Sequence, residues 1–237
     1  MLYQTRGIIL HKFMHTDNKM IVKAYTESHG TNAYLCFRSS VSKKNKHLFL
    51  PMSLVEITAE RKNRGNFDFV KEVKIIVNTH LIEYDAVMAS ICMFLNEILY
   101  KLLSDAGEDK ALFDFLFSSL NQFFTQKFTP DFHLRFLTTL MRELGSFPES
   151  NYTQGTVFSI EKSCFLHDIS AKKEEQMLGF YFHCLLVQDL FPANQKEIIP
   201  YSIRNSLLDI ILNYYTLHIA DLSKIKSHEI LKTILHS

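Results

Sequence analysis

Tryptophan is absent from the 237 residues, and only seven glycines and five prolines punctuate them. Punctuation this sparse excludes collagen-like and low-complexity architectures, and a hydrophobic content of 47% excludes intrinsic disorder. The twenty phenylalanines point instead to aromatic-packed helices. The four cysteines, Cys36, Cys92, Cys164 and Cys184, are scattered singly, so a disulfide framework is not expected and a reducing compartment fits. Nothing before residue 30 has the charged, then apolar, then cleavable order of a secretory leader. A membrane span needs about 18 consecutive apolar residues, and Asn96, Glu97 and Lys101 interrupt the most apolar segment. A soluble, cytoplasmic protein of one or two domains is expected.

Chemical motifs are as scarce as cysteines. Neither Gly-x4-Gly-Lys-Ser/Thr nor Gly-x-Gly-x-x-Gly occurs, so the usual phosphate cradles of nucleotide hydrolases and dinucleotide enzymes are missing. Cys164-Phe165-Leu166-His167 has the Cys-x2-His spacing of half a zinc site, but a structural zinc needs a second pair of ligands and none lies nearby in the sequence. Asp131, His133, Glu97 and the eleven histidines form no legible set of nucleophile, base and orienting group. No catalytic residue, cofactor or metal is assigned, and a non-enzymatic role is expected.

What the chain does have is a segregation of charge. Residues 1–80 carry 13 Lys and Arg against 6 Asp and Glu, a net of +7, while residues 81–237 carry 13 against 19, a net of −6. The overall charge of +1 conceals this bipolarity, and a basic half points to a polyanionic partner. The alternative is a lysine-rich solvated surface. At the centre of the basic half, Ser39-Ser40-Val41-Ser42-Lys43-Lys44-Asn45-Lys46-His47 forms a polar cationic loop between two runs of aromatic and β-branched residues.

Five strand-like runs are expected in the first half, over residues 2–13, 19–27, 31–38, 48–60 and 67–77. His15-Thr16-Asp17-Asn18, Ser28-His29-Gly30 and Lys62-Asn63-Arg64-Gly65-Asn66 read as turns, with Gly30 free to take a positive φ. In the last run Phe67, Phe69, Val73, Ile75 and Val77 are expected to face inward, with a shift of phase near Val70 that signals a bulge. Five short strands with basic loops predict a small OB-fold barrel, although an SH3-like barrel gives nearly the same pattern. An OB-fold holds single strands by a cationic groove and stacking aromatics. The candidate DNA contacts are therefore Arg6, Lys12, Lys19, Lys23, Arg38, Lys43, Lys44, Lys46, Arg61, Lys62 and Arg64 for phosphates, with Tyr25, Tyr34 or Phe37 as platforms. Core packing is the competing role for each aromatic.

After His80 the apolar period lengthens to about 3.6 residues. Helices are expected from Asp85 through Leu102, over the stripe from Leu112 to Phe124, from Thr129-Pro130-Asp131 to Gly145, and over 172–190, 202–219 and 227–235. Thr129-Pro130-Asp131 reads as a cap with proline in the first helical position. Residues 146–170 form an irregular insert with one β-like run at 156–160. The expected architecture is α+β: a five-stranded OB-fold over 1–80, then an α-helical bundle over 81–237 with a small insert at 146–170.

In this order the two halves resemble the RecO family of bacterial recombination mediators. The stretches that carry the resemblance are Thr5-Arg6-Gly7-Ile8-Ile9-Leu10, Tyr25-Thr26-Glu27 leading to Gly30, Leu48-Phe49-Leu50-Pro51-Met52-Ser53-Leu54, Arg135-Phe136 before Glu143-Leu144-Gly145, and Tyr215 to His218 followed by Lys226-Ser227. Many relatives carry four cysteines in the insert where this chain keeps only Cys164, which implies a zinc-free version. The resemblance further implies binding of single- and double-stranded DNA, annealing of complementary strands, engagement of the acidic tail of the single-strand-binding protein SSB, and, with RecR, loading of RecA at the bacterial nucleoid. For the SSB tail, Arg135 and Arg142 lie two helical turns apart on nearly one face, and Phe136 and Leu140 are expected to line a slot for its terminal aromatic. The alternative is that both arginines pair with Asp131, Glu143 or a neighbouring helix. A general OB-fold nucleic-acid-binding protein without a recombination role, and a protein-interaction scaffold using the basic face, are the rival readings of the whole chain.

Overall fold

The computed structural model describes residues 1–37, 48–61, 67–77, 85–126, 129–191 and 199–235. The first five strands are β1 (Leu2–Thr16), β2 (Lys19–Thr26), β3 (Gly30–Phe37), β4 (Leu54–Glu60) and β5 (Asp68–Ile75). They close a barrel in the order β1-β2-β3-β5-β4, with β4 returning to β1. All neighbours are antiparallel except β3 and β5, which run parallel through Tyr34 and Leu35 against Asp68 and Phe69. That topology is the OB-fold and sets aside the SH3-like alternative.

Period-two alternation builds the barrel core. Ile9, Val22, Ala24, Tyr34, Cys36, Val55, Ile57 and Ala59 point inward, and Leu48 and Phe49 pack with them. The fourth strand starts later than residue 48, because Leu48-Phe49 form a helical turn and Met52, just after Pro51, adopts φ 68°. The backbone is still tied to the barrel there, Met52 N donating to Ile9 O and Ile9 N to Ser53 O. The bulge expected near Val70 is present: Thr58 pairs with Glu72 and Ala59 with Val70, leaving Lys71 unopposed. It changes which residues face inward. Val70, Val73 and Ile75 pack on the core and Asp68 is buried, whereas Phe67 and Phe69, expected inside, are half-buried.

The molecule divides into two compact units, one comprising Met1–Gln126 with Ser227–Ser237 and the other Lys127–Lys226. The boundary expected at residue 80 falls inside the first unit, which joins the barrel to α1 (Ala86–Leu102), α2 (Lys110–Thr125) and α6 (Ser227–Leu235). Each of the first two helices is started by an aspartate whose side chain accepts an N-terminal amide: Asp85 from Met88 N at 2.9 Å and Asp109 from Leu112 N at 3.0 Å. Helix α6 packs along α1, where the Glu97 carboxylate accepts from both the backbone amide and the hydroxyl of Ser227.

The second unit contains α3 (Phe132–Glu143), a hairpin of β6 (Val157–Ser159) and β7 (Cys164–Leu166), α4 (Lys173–Val187) and α5 (Tyr201–His218). The insert is thus more regular than its sequence suggests: Asn151 pins Phe165 by donating to its carbonyl and accepting from its amide. Helix α3 begins two residues later than expected. Pro130 precedes the cap, and the Asp131 carboxylate accepts from Thr129 and Arg135 instead of from a helix amide. Inside this unit His133 is 1% exposed, and burial, helped by Arg204 and opposed by Asp131 and the Pro130 carbonyl, pushes its imidazole down to about 4. A histidine held neutral in the fold but free to protonate when unfolded confers stability that is complete above about pH 6.5 and falls as the pH drops toward 4. Between pH 6 and pH 5 this ring should cost about 1 kcal/mol. Urea unfolding of the wild type and of His133→Gln should differ in pH slope by that amount; equal slopes would mean that the ring titrates normally.

Candidate nucleic-acid interface

Five of the eleven cations proposed from sequence, Arg6, Lys12, Lys19, Lys23 and Arg61, lie among the described residues of the barrel, and the structure separates those already engaged from those that are not. Arg6 donates from Nε and Nη2 to Glu27 at 2.9 and 2.8 Å and reaches Asp114 at 3.2 Å, with its guanidinium over the rings of Phe113 and Phe117. The hydrogen bonds to Arg6 hold the Glu27 carboxyl below its ordinary range. Arg61 is paired with Asp68 at 3.0 Å. Burial alone would raise the Asp68 carboxyl, but hydrogen bonds from Arg61, Tyr3 and Asn32 outweigh it and keep it lowered. Arg6 and Arg61 are therefore structural partners of carboxylates more than free phosphate contacts. Lys71 and Lys74 are likewise ion-paired, with Glu60 and with Glu56 and Glu72.

Lys12, Lys19 and Lys23 differ: none has a carboxylate partner among the described residues. All three lie on the β1–β2 hairpin, which is turned by Asp17-Asn18 and whose first strand is exposed from His11 to Thr16. Ladder register fixes their faces. Lys12 pairs with the inward Val22, which puts it on the core side at the barrel's end. His11 pairs with Lys23 and Phe13 with Ile21, while Lys19 pairs with Phe37 across β2 and β3, so these side chains share the outer face. The Lys19 ammonium lies 5.5 Å from the Phe37 ring centroid, and the Lys23 ammonium 5.6 Å from that of Tyr100 on α1. His11 bridges the rings, 5.2 Å from Tyr100 and 6.1 Å from Phe13. Phe13 is 43% exposed and Phe37 37%.

Of the three platforms proposed from sequence, then, Phe37 is accessible. Tyr25 and Tyr34 are fully buried, Tyr34 in the barrel core and Tyr25 against Phe113. Tyr34 cannot stack on a base, because the phase of β3 turns Tyr34 and Cys36 inward and Phe37 out. Arg38, Lys43, Lys44, Lys46, Lys62 and Arg64 lie outside the described residues. Phe13, His11 and Tyr100 are not among the sequence candidates; the signal for the first two is the run His11-Lys12-Phe13 ahead of the Asp17-Asn18 turn.

The slot proposed on α3 is closed. Arg135 is 1% exposed and Phe136 and Leu140 are buried beside it. Its guanidinium donates to Asp131 at 3.1 and 2.8 Å and to the Gln188 side-chain oxygen at 2.7 Å. Arg142 alone reaches the surface, lying over Phe147 at 4.4 Å and donating to Leu186 O. Pairing with Asp131 is thus the role of Arg135. An open cavity of about 650 Å³ lies elsewhere in the same unit, between the Gln154-Gly155 turn and α4, lined by Tyr152, Lys173, Met177 and Phe180. Among the described residues no group of three or more His, Cys, Asp or Glu is placed to hold a metal ion, and no helix is long and apolar enough to cross a membrane.

Comparison with known proteins accounts for both halves. Residues 1–78 match the family model described as recombination protein O N terminal, and residues 83–228 match recombination protein O C terminal. Curated relatives named DNA repair protein RecO align over 99% of this chain and 99% of their own length: one from Flavobacterium psychrophilum is 30% identical, one from Azobacteroides pseudotrichonymphae 30% and one from Phocaeicola vulgatus 32%. An OB-fold barrel followed by six helices, matched end to end in this way, shows that the chain belongs to the RecO family of DNA repair proteins.

Proposed function

We propose that the chain is a recombination mediator that binds DNA through the β1–β2 hairpin of its barrel, anneals complementary strands without hydrolysing a nucleotide, and works on strands covered by SSB together with RecR to promote RecA loading. The observation that carries the DNA-binding step is the contrast between carboxylate-paired Arg6 and Arg61 and the exposed hairpin bearing Lys12, Lys19 and Lys23. Cations without a carboxylate partner are the ones that gain most from a phosphate, and phosphate contact carries no base information, so binding is expected to be independent of sequence. The SSB tail is acidic and ends in an aromatic. The cavity beside α4, where Lys173 borders Met177, Phe180 and Tyr152, supplies the matching chemistry that α3 does not.

Reversal of Lys12, Lys19 and Lys23 to Glu should weaken single strands of unrelated sequence alike. For single strands each lost phosphate contact flattens the log–log salt dependence by about 0.7, so three should flatten it by roughly 2. The same variant should lose its acceleration of annealing between SSB-coated complementary strands. An unchanged salt slope would remove the hairpin from the interface. Binding without any acceleration on SSB-coated strands by the wild type would favour the general nucleic-acid binder, and no binding to oligonucleotides at all would favour the protein scaffold.

A further inference from the structure

Building on that reading, we propose that the outer face of β1–β2–β3 is a track for unpaired bases, with Phe37, Phe13 and Tyr100 as successive stacking platforms and Lys19 and Lys23 as gates that leave two of the rings for phosphates. The register places the groups in rows. Lys19 and Phe37 form the first, Phe13 with Ile21 and Leu35 the second, and His11 with Lys23 the third, where Tyr100 of α1 joins. Rows two residues apart are separated by about 7 Å, and Phe37 on β3 also lies two strand spacings, about 10 Å, across from Phe13 on β1, so these two platforms are roughly 12 Å apart. Ile21 and Leu35, 2% and 7% exposed, form a buried floor between them.

The cation–ring contacts give the track its mechanism. An ammonium over an exposed ring is held weakly, and a phosphate offers the same ammonium a full opposite charge. Once the lysines turn to the backbone, the faces of Phe37 and Tyr100 are released to bases, whose stacking on aromatic side chains is the stronger contact. A duplex cannot complete the exchange: it presents phosphates to the lysines but no free base face to the rings. The face should therefore discriminate unpaired from paired DNA, with the lysines serving both and the aromatics only the former. Tyr100 extends the track onto the first helix, beyond the strands that an OB-fold alone would use.

Phe13→Leu, Phe37→Leu and Tyr100→Leu keep apolar cover over the floor while removing the stacking face. Each should weaken a single-stranded oligothymidylate of about 15 nucleotides roughly tenfold, change the affinity for a hairpin duplex less than twofold, and leave the salt slope unaltered. Since the chain has no tryptophan, Phe37→Trp introduces a sole indole reporter whose emission should be quenched by oligothymidylate but not by duplex. Single-strand affinity unmoved by all three leucines, or an equal loss for both DNAs with a lowered melting temperature, would overturn the track and leave a packing role. That failure is distinct from failure of the DNA-binding reading, which the lysine reversals decide on the salt slope alone.

Discussion

Replacing Arg135 by alanine is expected to lower the unfolding free energy of the unit Lys127–Lys226 by about 3–5 kcal/mol. Both side chains of the Arg135–Asp131 pair are 0% exposed, so neither is solvated and neither is screened by salt. Their attraction offsets desolvation because Nε and Nη2 both donate to Asp131 Oδ2 and the remaining guanidinium nitrogen finds the Gln188 side-chain oxygen at 2.7 Å. Truncation leaves the Asp131 carboxylate in the interior beside the Thr129 hydroxyl at 2.5 Å but without its guanidinium, and an uncompensated buried charge is the costly outcome. Against a typical total of about 5–15 kcal/mol, the loss should be visible as an early unfolding transition in urea.

The control separates charge from packing. Asp131→Leu combined with Arg135→Met removes both charges, keeps most of the volume, and should cost much less than Arg135→Ala alone, since a buried pair is often replaceable by apolar residues of similar size. Arg135→Lys should fall between, because a lysine keeps the charge and loses the planar fork. A loss below about 1 kcal/mol for Arg135→Ala would show that water reaches the pair and that burial does not set its energetics. The same prediction separates structure from recognition: a peptide-binding arginine would alter affinity with little change in stability, and the placement of Arg135 requires the reverse.

Arg135 also shows where sequence reading stops. In Phe132-His133-Leu134-Arg135-Phe136-Leu137-Thr138 every residue is buried, so helical periodicity has no polar face to report, and a guanidinium read as surface is in fact enclosed. The pairing itself was local enough to be weighed, Asp131 being one turn away. Arg6 is harder, since Asp114 is 108 residues distant and nothing in the order of residues announces the contact. In β3 the phase is ambiguous because Tyr34 and Cys36 alternate with Leu35 and Phe37, four apolar residues in a row. Only the ladder with β2 decides that Tyr34 belongs to the core and Phe37 to the surface. By contrast the barrel strands, the bulge beside Val70 and the start of α1 at Asp85 were legible, because the first two rest on alternation and the third on the change of apolar period. Which helices pack with the barrel was not, since α1, α2 and α6 join it through contacts that no periodicity encodes.

One such contact can be broken by a single methyl group. Gly30 has φ +60°, as its place after Ser28-His29 suggests, but a Cβ there would also lie 2.4 Å from Ala106 O, 2.4 Å from Gly107 C and 2.5 Å from Gly107 O. All three are backbone atoms of the connection between α1 and α2, which Thr31 holds by donating from its amide to Ala106 O at 2.8 Å and from its hydroxyl to Leu103 O at 2.5 Å. Gly30→Ala is therefore expected to cost about 1–2 kcal/mol for the left-handed conformation and a further 1–3 kcal/mol or more for moving a backbone that has no rotamer to change. Gly145→Ala supplies the comparison: φ is +69° and nothing lies within 4 Å of the added carbon, so only the conformational part should appear. Chemical denaturation of the two variants isolates the close approach as their difference. If Gly30→Ala loses no more than Gly145→Ala, the β2–β3 turn and the α1–α2 connection separate freely, and the barrel does not depend on the helices for the position of that hairpin.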